Sequence, residues 1–91
     1  MKGWKDGKKA FIYHTTSSDN LKRIQIEGFL IPVVENGVIY FSIDEPLMSY
    51  GTVILKSKKE WDLSKLDGCS SPPVVWHRSK ISLAEFEISE V

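Results

Sequence analysis

The spacing of apolar residues along this chain alternates between the pattern of strands and that of a helix. Short apolar or alternating runs at residues 11–13, 38–41, 52–55, 74–76 and 83–88 are typical of strands. The run at 38–41 is nearly continuous, which favours a central strand buried on both faces. A polar connection at 57–68 and a Pro-containing breaker at 70–73 separate the later strands.

One main helix is predicted between the first two strands. Ser17 or Ser18 caps its N-terminus, and Gly28 ends it as a left-handed residue, with Leu30 supplying the apolar contact that accompanies such an end. The predicted buried face comprises Leu21, Ile24 and Ile26. A second, short helix is predicted from residue 44 to residue 50, with Pro46 in its first turn.

These elements predict a small α+β fold with a split, mixed sheet, one main helix and one short helix. The 91 residues are expected to form a single domain, 1–91. Hydrophobic residues make up 42% of the chain, which is typical of a globular protein with a small core.

Charge and cysteine content narrow the function classes. Lys and Arg together number 12, as do Asp and Glu, so no global field draws in nucleic acid or a membrane. One cysteine, Cys69, excludes a disulfide framework and fits a reducing, cytoplasmic setting, and its Gly-Cys-Ser-Ser-Pro-Pro context indicates a loop thiol. One Cys and two His cannot supply a closed metal site without several carboxylates, so no metal is expected. No apolar run approaches the roughly 20 residues that span a bilayer, so no membrane partner is expected.

The junction after the first strand carries candidate chemistry. His14 closes the strand where Thr15, Thr16 and Ser17 lead into the helix. The first backbone N–H groups of a helix lack intrahelical partners and can receive a phosphate or carbonyl oxygen beside the imidazole. The alternative is a plain capped helix, with His14 filling a polar edge.

The order of motifs resembles the ADP-ribosyltransferase family of the His-Tyr-Glu type. The resemblance is carried by residues 13–17, by Asp19-Asn20-Leu21 with Ile24, by residues 27–30, by residues 37–42, and by Tyr50-Gly51 before an apolar strand.

The resemblance implies NAD as the substrate and assigns roles. It implies that His14 hydrogen-bonds a ribose hydroxyl, that the backbone at Thr15 binds the nicotinamide carboxamide, and that Tyr40 stacks on the nicotinamide ring. The cofactor-binding residues implied are His14, Thr15, Thr16, Tyr40 and Ser42. The alternative for Tyr40 is a core aromatic within an apolar strand.

The resemblance also implies a catalytic glutamate at the start of a late strand. Glu85 is the candidate and Glu87 the alternative, since alternation along a strand would place both on one face, opposite Ala84, Phe86 and Ile88. A carboxylate there would stabilise the positive charge that develops when the bond between nicotinamide and ribose breaks. A pair of solvated glutamates is the rival interpretation.

The function implied is transfer of ADP-ribose from NAD to a macromolecule, either a protein or a nucleic acid, with a protein favoured. The alternative is an inactive module of the same fold that binds a nucleotide or blocks a partner protein, as a phage or mobile-element inhibitor would. An NAD-dependent RNA 2′-phosphotransferase is disfavoured, because that family uses several active-site arginines and this chain has only Arg23 and Arg78.

Overall fold

A computed structural model describes residues 8–32, 37–47, 51–71 and 74–90 of the chain. The first half contains β1 (Lys9–Ala10), β2 (Ile12–Thr16), α1 (Ser18–Glu27), β3 (Phe29–Leu30) and β4 (Ile39–Ile43). The second half contains β5 (Val53–Ser57), β6 (Trp61–Asp62), β7 (Gly68–Ser71), β8 (Val74–His77), β9 (Ile81–Ser82) and β10 (Phe86–Glu90). Two 3-10 turns occupy Leu63–Lys65 and Leu83–Glu85. The α+β class predicted from the sequence is confirmed.

The main sheet has six strands in the order β10-β5-β2-β4-β8-β7. Each pairing described within it is antiparallel, so the expectation of a mixed sheet is wrong. The reason is that the segments joining neighbouring strands, including the one with α1, return the chain in the opposite direction. Two short antiparallel pairs, β1 with β6 and β3 with β9, lie apart from this sheet.

Side chains on the two faces of the sheet differ in burial. One face carries Ile12, Phe41, Leu55 and Val75, all buried, and α1 adds Leu21 and Ile24 to the same hydrophobic core. The opposite face carries partly or well exposed side chains along most of its length. We call it the open face, and its residues include Tyr13, Tyr40, Lys56 and Trp76.

Both predicted ends of the main helix are confirmed. Ser17 is the N-cap, because its hydroxyl accepts the Asn20 backbone N–H at 3.2 Å. Gly28 has φ +79° and its N–H donates to the Ile24 carbonyl at 2.7 Å, which closes the helix in the left-handed conformation. The prediction for Ile26 is wrong: its side chain is 86% exposed, because it lies two positions beyond Ile24 and the helix turns it away from the core.

Three other expectations need correction. Residues 44–47 are not helical, and the remainder of the short helix predicted to residue 50 lies outside the described residues. Cys69 and the first part of the predicted breaker belong to β7 rather than to a loop, while residues 72 and 73 lie outside the described part.

Within the described residues, the structure contains no helix with the length and apolar character that a membrane span needs.

Candidate functional site

The two central strands separate at the place where the sequence predicts the site. Pairing between β2 and β4 covers Ile12 with Ile43 and Tyr13 with Ser42, and goes no further. By the same register, Thr15 and Tyr40 would be the next pair to exchange backbone hydrogen bonds. On its other edge, β2 remains paired with β5 as far as Thr16. The separation is therefore a local opening inside the sheet.

The His14 imidazole bridges this opening. Its Nδ1 lies 2.8 Å from the Tyr40 carbonyl oxygen. If the backbone pairing of β2 and β4 continued, the Thr15 N–H would donate to this same oxygen. Because a carbonyl only accepts, Nδ1 carries the proton and donates. In the neutral ring, Nε2 is then an unprotonated acceptor. The ring also packs edge-on against Phe41, with centroids 5.7 Å apart.

Burial keeps this imidazole neutral. Desolvation lowers the pKa of His14 below its usual 6.5, and the hydrogen bond to the Tyr40 carbonyl opposes that shift only in part. At neutral pH the ring can therefore accept a hydrogen bond at Nε2 from a hydroxyl or an N–H group. His14 is suited to orient a ligand rather than to carry positive charge.

A cavity of about 280 Å³ lies at the opening. All the residues predicted to bind the cofactor line it: His14, Thr15, Thr16, Tyr40 and Ser42. Apolar side chains of Ile24, Leu30 and Phe41 line it as well. Tyr40 is 43% exposed, so it is not the core aromatic that the sequence left as an alternative.

Two hydroxyl groups at the cavity have different surroundings. The Ser42 hydroxyl donates to the Glu45 carbonyl at 2.6 Å, so its proton is already used. The Thr15 hydroxyl oxygen is buried and has no hydrogen-bond partner among the residues that the structure describes. A buried hydroxyl without a partner costs about 1–3 kcal/mol, and a ligand that enters far enough to reach this oxygen would recover that cost.

The helix side of the cavity was missed by the sequence analysis. Asn20, Arg23 and Glu27 line it together with Ile24. Arg23 and Glu27 carry the only charges among the described lining residues, and the Arg23 guanidinium lies 3.5 Å from the Asn20 side-chain oxygen. Their positions, three or four residues apart, put them on one stripe of α1. That spacing is the signal that could have identified them.

The proposed catalytic glutamates are not brought to the cavity. Glu85 is exposed in the 3-10 turn before β10, and its backbone carbonyl accepts the Lys58 N–H. The strand starts only at Phe86, so the expectation that Glu85 and Glu87 alternate along one strand is wrong for Glu85. Through the pairings of β10 with β5 and of β5 with β2, Glu85 lies about 10 Å across the sheet and about 10 Å along it from His14. Glu87 lies on the open face opposite Lys56 and does not line the cavity.

The second histidine lies near a carboxylate. His77 Nδ1 is 3.0 Å from an Asp67 side-chain oxygen, which also accepts the Arg78 backbone N–H at 2.6 Å. Within the described residues, no group of three or more His, Cys, Asp or Glu side chains is placed to hold a metal ion.

Comparisons with protein-family models, with curated proteins and with solved structures find no match to this chain. The resemblance to ADP-ribosyltransferases therefore depends on the quoted residues alone.

The lowered pKa of His14 predicts acid sensitivity. Between the unfolded pKa near 6.5 and the lower folded value, the unfolded chain binds a proton at this residue that the folded chain does not bind. This contribution to stability is complete above pH 6.5 and is lost as the pH falls below it. We expect the melting temperature of the wild type to fall over this window more steeply than that of His14→Gln, whose amide can still donate to Tyr40. His77→Gln is the control, and its melting temperature should fall as steeply with pH as that of the wild type. An equally steep fall in the wild type and in His14→Gln would contradict the assignment of the acid sensitivity to His14.

Proposed function

We propose that this protein binds a nucleotide of the NAD class in the cavity between β2 and β4, as a module that does not use Glu85 for catalysis. The observation that carries the proposal is the convergence of the five predicted cofactor-binding residues on one cavity, whose histidine is neutral and carries its proton on Nδ1. An ADP-ribosyltransferase-like fold remains part of this proposal.

The size of the cavity limits how much of the ligand it can take. Pockets for drug-sized ligands measure about 300–1,000 Å³, and this cavity, at about 280 Å³, is at the lower limit. We therefore expect it to hold the nicotinamide riboside portion of NAD, with the remaining nucleotide outside. Arg23 is the lining residue able to meet a phosphate with positive charge.

The chemistry of the lining suits that portion. Nε2 of His14 can accept a hydrogen bond from a ribose hydroxyl, and the Thr15 hydroxyl and backbone can serve the carboxamide, which both donates and accepts. The half-exposed Tyr40 ring can stack on the cationic nicotinamide, an interaction of about 0.5–2 kcal/mol.

The binding module is favoured over the transferase by the position of the carboxylates. A group that stabilises the cationic transition state must lie against the reacting ribose. Glu85 and Glu87 lie outside the cavity, and among the described lining residues Glu27 is the only acid. Transfer of ADP-ribose to a protein target is accordingly the second candidate, and it would depend on Glu27.

Thr15→Val provides the test of binding. The change removes a buried hydroxyl without altering the shape of the side chain, so we expect the free protein to become about 1 kcal/mol more stable. Its affinity for NAD and ADP-ribose, measured by calorimetric titration, should fall.

Tyr40→Ala should weaken NAD binding by roughly 2- to 30-fold, measured in the same titration. Ile88→Ala, at a similarly exposed position that does not line the cavity, is the control and should bind normally. Absence of heat with wild type at millimolar ligand would reject the proposal.

Turnover is tested by release of nicotinamide from NAD, with and without cell lysate. We expect no release by the wild type beyond the uncatalysed background. If release occurs and Glu27→Gln abolishes it while Glu85→Gln does not, the cavity is an active site with Glu27 as its carboxylate. Loss of release in Glu85→Gln with unchanged NAD affinity would contradict the placement of the site.

A further inference from the structure

The open face of the sheet is rich in aromatic side chains. Phe11, Tyr13, Tyr40 and Trp76 are part-buried or exposed, and the last three occupy the neighbouring strands β2, β4 and β8. Tyr40 and Trp76 are directly opposite each other, and Tyr13 is opposite Ser42, which places it diagonal to Tyr40. These positions form a diagonal row of rings, in which the opposed pair Tyr40 and Trp76 have Cβ atoms about 5 Å apart and the opening between β2 and β4 separates Tyr13 from Tyr40.

Cationic side chains lie over both ends of this row. The Lys56 ammonium is 4.6 Å from the centroid of the Phe11 ring and 6.0 Å from that of Tyr13. At the other end, the Arg78 guanidinium carbon is 5.0 Å from the centroid of the Trp76 ring. Glu87 is the acid opposite Lys56, on the β10 side and away from the aromatic row. One cation therefore lies over each end of the row, with Glu87 opposite Lys56 and the Asp67 carboxylate beside the Arg78 backbone.

The Trp76 ring packs against the neighbouring strand β7. A Cβ atom at Gly68 would lie 2.2 Å from Trp76 Cζ2, so the ring packs directly against the glycine of the adjacent strand. A ring fixed in this way loses little further freedom when a flat ligand stacks on it or on the guanidinium above it.

From these positions we infer that the open face binds single-stranded nucleic acid, with bases stacked along the aromatic row and phosphates near Lys56 and Arg78. Single strands expose the flat faces of their bases, and aromatic platforms flanked by cations bind them with little sequence preference. A duplex hides those faces, so it should bind more weakly. The open face shares Tyr13 and Tyr40 with the lining of the cavity, whereas Phe11, Trp76, Lys56 and Arg78 do not line it.

The experiment is fluorescence anisotropy of labelled DNA and RNA oligonucleotides about ten nucleotides long, with the full chain and several salt concentrations. We expect saturable binding to single strands and weaker binding to the matched duplex. Two neutralised phosphates predict a slope of about −1.4 in a plot of log affinity against log salt, and Lys56→Gln or Arg78→Gln should each reduce its magnitude by about 0.7. Comparing the DNA and RNA probes identifies any contribution of the 2′-hydroxyl.

Aromatic variants separate stacking from charge. Phe11→Leu and Trp76→Leu should each weaken binding about tenfold, and Trp76→Phe should restore most of the loss, with folding followed by thermal melts. Lys80→Gln is the matched control, because Lys80 lies 4.3 Å over the ring of Phe29, which belongs to the separate β3–β9 pair. No binding at low salt, equal affinity for the duplex, or the same loss in Lys80→Gln as in Lys56→Gln would overturn the inference.

Discussion

The hydrogen bond between His14 and the Tyr40 carbonyl connects the two halves of the sheet where their backbone pairing has stopped. A continued ladder would close the sheet at this point and leave no cavity. Complete separation would leave the Tyr40 carbonyl without this bond. The imidazole supplies a donor to that carbonyl while holding the strands farther apart than a direct backbone bond would. The cavity and the protonation of Nδ1 rather than Nε2 depend on this one substitution of a side-chain bond for a backbone bond, whereas burial keeps the ring neutral.

The main elements around this bond were predictable from local patterns. Ser17 and Gly28 mark the ends of α1 because a hydroxyl cap and a left-handed glycine have direct backbone causes, and the strands containing His14 and Tyr40 are short apolar runs. The resemblance assigns His14 and Tyr40 to the same ligand, whereas spacing along the chain gives no strand order. The two-residue strands, such as β1 and β3, carry no periodic signal and exist only through their tertiary pairing.

The placement of Glu85 shows where local reasoning fails. The run at 83–88 alternates as a strand would, but the Ser82 hydroxyl accepts the Ala84 N–H at 3.2 Å and the Leu83 N–H donates to the Gly28 carbonyl at 2.9 Å. These bonds hold residues 83–85 in a 3-10 turn, so the strand begins only at Phe86. The contact with Gly28 is distant in sequence, so no pattern within the segment reveals it. The charged stripe of α1 at the cavity was, by contrast, readable from helical spacing.

Nitrogen-15 NMR of labelled protein reports the protonation state of the bridging imidazole. At neutral pH we expect a His14 ring with the proton fixed on Nδ1 and none on Nε2. Addition of NAD should then perturb the Nε2 resonance. A His14 ring protonated at Nε2, or one exchanging freely between tautomers, would contradict the bridge to Tyr40 and the site built upon it.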